Sequence, residues 1–240
     1  IIHIAGRCLN EGEVRELSER IYKALKSSDE RIQTKEQWAN EDDIDQDEIE
    51  ELEDDAEMEE ELQVALAGLI GALFATHKEL NLPFVQTIFK EILPKALDPS
   101  MSPRMHKFGL FLIDDMIEHL GVELIPNEWP HLSEALMKFA TSKYCEVRQA
   151  AVYGIGVLAE KSKESFKVIS EYCLKAIYES LNVQKGPEEL AHPYGQARDH
   201  CIVALGKIIK NQSDCVPNLP EVVKLWVDNL PIKSEKKEAR

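Results

Sequence analysis

The sequence repeats itself at the length of a helix pair. The stretch Arg148-Gln149-Ala150-Ala151-Val152-Tyr153-Gly154-Ile155-Gly156-Val157-Leu158-Ala159 has weaker counterparts at Gln63–Phe74, His106–Ile117 and Arg198–Ile209, so the copies start 43, 42 and 50 residues apart. Each copy keeps apolar residues at helical spacing, and small residues recur inside the copies: Gly71, Ala151, Gly154, Gly156, Cys201, Ala204 and Gly206. A lone helix pair cannot bury its apolar face. Successive pairs bury it against each other, and small residues let the helices approach closely. The longest spacing absorbs a loop over 183–193.

A two-helix repeat of about 40–47 residues is the HEAT/armadillo class. The expected fold is therefore all-α: an α-solenoid of stacked antiparallel helix pairs, one array over 1–240. No alternating apolar/polar run bounded by hairpin turns competes with this. Val14, Leu17, Ile21, Ala24 and Leu25 follow the i, i+3, i+4 rule and predict a first helix over 11–38. A second is predicted over 56–79, with Leu62, Leu66, Leu69, Ile70, Leu73 and Phe74 on its apolar side. Further helices are predicted over 83–97, 103–120, 128–141, 145–161, 165–182, 194–211 and 218–229. Arg148 and Arg198, at the starts of their copies, are expected to bond an acid or a carbonyl of the adjacent repeat.

The charge is as localised as the repeat is regular. The chain has a formal net charge of −16, yet 15 Asp or Glu and no Lys or Arg lie between Glu41 and Glu61, and elsewhere 29 acids meet 28 bases. A near-neutral body carries one acidic insertion, 41–61, within its first helix pair. No region has the surplus of bases that phosphate neutralisation needs, so no nucleic-acid partner is expected. Val64–Ala75 is the longest apolar run and is too short to span a bilayer, so no membrane partner is expected either. Cys8, Cys145, Cys173, Cys201 and Cys215 form no CxxC pair and read as reduced thiols, mostly buried. The first residues read as the middle of a helix rather than a signal peptide, as in a piece of a longer protein.

Nothing in the chain assembles into an active site, and no enzyme activity, cofactor or metal is expected. Gly154-Ile155-Gly156 lies inside a helix with no strand before it, which suits close packing and not a phosphate cradle. Asp114, Asp115, Glu118 and His119 are the densest polar cluster outside the insertion. The Asp115–His119 spacing reads either as an acid/base pair or as a histidine favoured at a helix C-terminus. A binding role for these acids is preferred to catalysis. Trp38, Trp129 and Trp226 are expected to pack. The insertion has two readings. It is either a solvated loop or helix extension, kept extended by repulsion among its carboxylates, with Ile49, Leu52 and Ala56 at a helical spacing that joins its second half to the following helix, or a polyanion that attracts basic partners.

Two motifs in successive repeats resemble one family. Met105-His106-Lys107-Phe108-Gly109, continuing through Ile113-Asp114-Asp115-Met116-Ile117-Glu118-His119, is followed by Glu146-Val147-Arg148-Gln149-Ala150-Ala151-Val152-Tyr153-Gly154-Ile155-Gly156-Val157. With the acidic insertion before them and Leu225-Trp226-Val227-Asp228-Asn229-Leu230-Pro231 after, the pattern over residues 40–239 resembles a C-terminal part of the importin-β (karyopherin-β) superfamily, in its beta-three branch. The turn Ser142-Lys143-Tyr144-Cys145 departs from it, lacking the Asp-Pro-like residues usual in HEAT repeats. The resemblance implies a nuclear transport receptor that shuttles between cytoplasm and nucleus. Such a receptor carries basic cargo proteins, contacts Phe-Gly nucleoporins, and releases cargo on binding Ran-GTP through repeats outside this chain. A structural HEAT scaffold holding a multisubunit complex is the alternative. Under the receptor reading, the expected cargo-binding residues are Asp42, Asp43, Asp45, Asp47, Glu48, Glu50, Glu51, Glu53, Asp54, Asp55, Asp114, Asp115 and Glu118.

Overall fold

The computed structural model describes residues 6–38, 46–186 and 191–232, and among them there is no strand. The helices are α1 (Glu11–Trp38), α2 (Gln46–Thr76), α3 (Leu82–Thr87), α4 (Leu93–Ala96), α5 (Pro103–Asp115), α6 (Trp129–Phe139), α7 (Cys145–Lys161), α8 (Ser170–Asn182), α9 (Ala191–Gln212) and α10 (Leu219–Asp228). The fold class is the expected one, an all-α HEAT-repeat array. The helices fall into two compact units, Ile1–Ile88 and Phe89–Arg240.

The first unit is built on the α1–α2 pair. Asn10 begins α1 with a reciprocal cap: its Oδ1 accepts from the Glu13 N–H at 3.1 Å while its own N–H donates to Glu13 Oε2 at 2.8 Å. Val14, Ser18, Ile21, Leu25 and Ser28 then form a buried seam with a three-four spacing. Helix α2 runs antiparallel to α1, since Ser28 meets Gln63, Arg31 meets Glu59 and Lys35 meets Asp55. It starts at Gln46, ten residues before the predicted boundary, so most of the acidic insertion is helical rather than an extended loop. The basic residues of α1 are the physical reason. They offset the carboxylate repulsion that the insertion suffers when read alone.

The seam of α2 also differs from the expected one. Glu59, Gln63, Ala67 and Ile70 are buried, while Leu62 is exposed and Leu66 and Leu69 are half-buried. A polar upper seam that satisfies Ser28 and Arg31 turns Leu62 and Met58 outward.

In the second unit α5, α7 and α9 lie side by side, with α6 packed on α7 and α8, and α8 and α10 packed on α9. Ser102 caps α5 by accepting from the Met105 N–H, and Pro103 takes the first turn, where no internal N–H bond is lost. Leu110, Leu112, Ile113, Val147, Ile155, Leu158 and Ile208 form a continuous buried core. A π turn, Met116–Leu120, extends α5, and Gly121 at φ 75° stops it.

The small residues act as the repeat pattern requires. A Cβ on Gly154 would lie 2.1 Å from Asp114 Oδ1 and 2.6 Å from Leu136 Cδ2, so this glycine seats α5 and α6 on α7. Gly206 lies 3.1 Å, by the same construction, from Trp226 Nε1. Arg148 is fully buried, and its guanidinium lies 5.9 Å from the Tyr194 ring of the next repeat. It donates to the carbonyls of Ser142 at 2.8 Å and Lys143 at 3.0 Å. The atypical turn before α7 is thus held by a guanidinium in place of turn-forming residues. Arg198 also reaches the next repeat, donating to Asn229 Oδ1 at 2.6 Å. Trp38 does not pack as expected; it is more than half exposed.

Candidate functional site

The side-by-side helices α5, α7 and α9 bring one polar row together. From α5 and its π turn, Asp115, Glu118 and His119 are half-buried, with Asp115 Oδ1 3.7 Å from His119 Nε2. From α7, the Tyr153 hydroxyl donates to Glu118 Oε2 at 3.1 Å. From α9, the Lys207 ammonium lies 5.1 Å over the Tyr153 ring and 3.3 Å from Glu160 Oε2. His200 stands beside Tyr153, ring centroids 6.0 Å apart, and 3.3 Å from the Gln149 amide.

Glu118 and Glu160 occupy equivalent positions in successive repeats, 42 residues apart, and so flank the tyrosine from two helices. Gly156 makes room for the lysine. The Lys207 stem crosses α7 with Cδ 3.1 Å from where a Gly156 Cβ would lie.

Asp114 stands behind this row and not on it. It is buried between α5 and α7, and its Oδ1 has no hydrogen-bond partner. Burial pushes its carboxyl well above the usual range, the nearby charges of Asp115 and Glu118 push it further, and Lys207 opposes them. Burial and then Glu118 raise Asp115 to about 6. The carboxyls crowd one another, which makes the row a place where an added cation is favoured.

The acids of the insertion are distributed differently. Asp42, Asp43 and Asp45 lie outside the described residues, and Asp47, Glu48, Glu50, Glu51 and Glu53 contribute backbone to α2. Asp54 is exposed, and Asp55 accepts from Lys35 Nζ at 2.6 Å.

Tyr153, Glu160 and Lys207 went unassigned in the sequence. The repeat alignment holds a signal for Lys207: its column contains Asp115, Val157 and Lys207, an acid, an apolar residue and a base at one position of three copies.

A second feature of this unit is an apolar groove of about 460 Å³ between α8, α9 and α10, lined by Leu174, Tyr178, Leu205, Val222 and Leu225, with Glu171, Lys175 and Glu221 among its charged residues. Among the described residues, no group of three or more His, Cys, Asp or Glu is placed to hold a metal. No helix there is long and apolar enough to cross a membrane. Burial raises the Cys173 thiol to about 12 and the Cys201 thiol to about 11, so both are held protonated as packing groups.

Comparison with known proteins gives consistent relatives. Residues 1–94 match the family described as Importin repeat 6. The Dictyostelium discoideum protein named "Probable importin-5 homolog" is 26% identical over 198 residues, 79% of this chain and 18% of that protein. Importin subunit beta-3 of Saccharomyces cerevisiae is 23% identical over 239 residues, 98% of this chain and 21% of that protein. The crystal structure of Kap121p bound to Ste12p superposes over 98% of this chain and 20% of that one, with TM-score 0.71 and 19% identity. The chain thus spans about a fifth of the length of the relatives it matches.

Proposed function

From the match of residues 1–94 to the Importin repeat 6 family and the similarity of the chain to importin relatives, we propose that it is part of an importin-β superfamily nuclear transport receptor that binds basic proteins and moves between cytoplasm and nucleus. The observation that carries this reading is the row across α5, α7 and α9. There Glu118 accepts from the Tyr153 hydroxyl, Glu160 pairs with the lysine over the Tyr153 ring, and Asp115 stands one turn before Glu118, a chemistry suited to lysine and arginine side chains. Asp114 supports the row from behind. The acidic insertion, Glu41–Glu61, adds long-range attraction, which speeds encounter with a basic partner more than it tightens the final contact.

The apolar groove between α8 and α10 is suited to a phenylalanine side chain and is our candidate for contact with Phe-Gly nucleoporins. Ran-GTP acts, in this proposal, through repeats outside this chain.

The test is a pull-down of basic proteins on the full-length receptor, with and without Ran-GTP. Release of the bound proteins by Ran-GTP is the expected result, and weaker capture by the D115N/E118Q variant ties them to the row. Retention in the presence of Ran-GTP favours a scaffold and overturns the receptor reading.

A further inference from the structure

The lysine already seated in the row has a further meaning. Lys207 does not project into solvent as a long surface lysine ordinarily does. Its stem lies across α7 over Gly156, and its ammonium is placed between the Tyr153 ring and Glu160. Only about a quarter of the side chain is exposed. The groups it meets are those that would recognise a foreign lysine: an aromatic face at 5.1 Å and a carboxylate at 3.3 Å. Glu118, accepting from the same tyrosine's hydroxyl, and Asp115 complete the acidic surroundings. Asp114, buried and with Oδ1 unpartnered, lies behind them.

Resting on the receptor reading above, we propose that Tyr153, Glu160 and Glu118 form a subsite for one lysine ammonium, that Lys207 occupies this subsite in the free protein, and that a lysine-rich partner binds by displacing it. The physical basis is the flexibility of the occupant. A lysine is a point charge on four rotatable methylenes, and a part-exposed ion pair with one aromatic contact holds it weakly. Swinging Lys207 out leaves α7 and α9 packed, because their contact is made by Ala204, Cys201 and Ile208 and not by the ammonium. The device sets a threshold. A partner with a single stray lysine gains little over the resident one, whereas a run of lysines places one in the subsite and others against Asp115.

The test uses the full-length protein and an unstructured dodecamer of lysine as the probe, with affinity read by fluorescence anisotropy. The Lys207→Met variant keeps the stem over Gly156 and empties the subsite. The Lys210→Met variant, one turn further along the same helix and exposed, removes the same charge without touching the subsite.

K207M is expected to bind the probe about fivefold tighter than wild type, and K210M less than about twofold tighter. Adding Tyr153→Leu to K207M is expected to abolish the gain, with the thermal midpoints of all variants followed in parallel. Equal effects of K207M and K210M would reduce the result to net charge and overturn the subsite. A gain that survives Y153L overturns it as well. Wild-type protein that fails to bind the probe at all defeats the receptor's basic-ligand reading together with this one, whereas binding without a K207M advantage defeats this one alone.

Discussion

Gly154 and Asp114 share one small space, and two measurable consequences follow at the scale of single residues. A methyl at position 154 has nowhere to go, since it meets the Asp114 carboxyl and both Leu136 methyls within 3 Å. Gly154→Ala is therefore expected to destabilise the fold by about 3 kcal/mol in a denaturant titration. Gly156→Ala meets the flexible Lys207 stem at 3.1 Å, which can shift, and costs less than about 1 kcal/mol.

Asp114 supplies the pH dependence. Its folded pKa is raised by burial, so the folded chain holds a proton that the unfolded chain has already released. Its contribution to stability falls as pH rises from the ordinary Asp range towards its folded value. Asp114→Asn removes that penalty. The variant is expected to be more stable than wild type by roughly 1–2 kcal/mol at pH 8, with the difference shrinking towards pH 4. A gap independent of pH in thermal melts would remove titration of Asp114 as its cause.

At the scale of elements, the ends of helices set what the sequence revealed and what it hid. Helices α5, α7 and α9 were legible because their apolar repeat and small residues serve a single packing role, and α1 was legible to its last residue. The start of α2 was legible only in part, through the helical spacing of Ile49, Leu52 and Ala56. Its carboxylates discourage a helix until the Arg31 and Lys35 side chains of α1 lie opposite, and periodicity within one segment does not contain that pairing. Arg148 was legible only in part: the repeat pattern pointed it towards the next repeat, where it meets the Tyr194 ring, while its bonds to the Ser142 and Lys143 carbonyls appear only in the fold.

The chain before α1 is held by another choice of this kind. The Leu9 N–H donates to His77 Nε2 at 3.0 Å, while Thr76 Oγ1, itself donating to the Ala72 carbonyl, faces His77 Nδ1 at 2.7 Å. The hydrogen bonds thus require a neutral ring with its proton on Nδ1. Burial, with the Arg7 charge adding to it, lowers the pKa of His77, so the unfolded state takes up the proton first and the clip weakens as pH falls below about 6.5. Hydrogen exchange at the Leu9 amide is expected to lose most of its protection between pH 7 and pH 5, and unchanged protection would show that the clip does not titrate.

For the whole molecule, the division of charge matters more than its total. The insertion carries 15 acids, while the remainder is balanced, so in the proposed receptor reading attraction for a basic partner is supplied by the insertion and the final contacts by the row. The half-buried carboxyls of Asp115 and Glu118 are screened less by salt than a solvated run of acids. Raising salt from 50 to 300 mM is therefore expected to slow association of a lysine-rich partner by about tenfold or more, with a smaller effect on its dissociation. Neutralising Asp54 and the other acids of 41–61 should reproduce the slow association at low salt. E118Q should instead speed dissociation. Stopped-flow kinetics separates the two.

The row itself was half legible. Asp114, Asp115 and Glu118 stood out as a cluster on one predicted helix, whereas Tyr153 and Lys207 join it only because α7 and α9 lie alongside α5, a relation that no single repeat encodes.

The seat of Trp226 over Gly206 gives the chain its own optical gauge. The indole is half-buried between α9 and α10, whereas Trp38 looks into water. In a W38F/W129F background all tryptophan emission comes from the last helix. A shift of that emission to longer wavelength then reports α10 leaving α9 while the other helices stay folded, a local opening visible in a cuvette without any label.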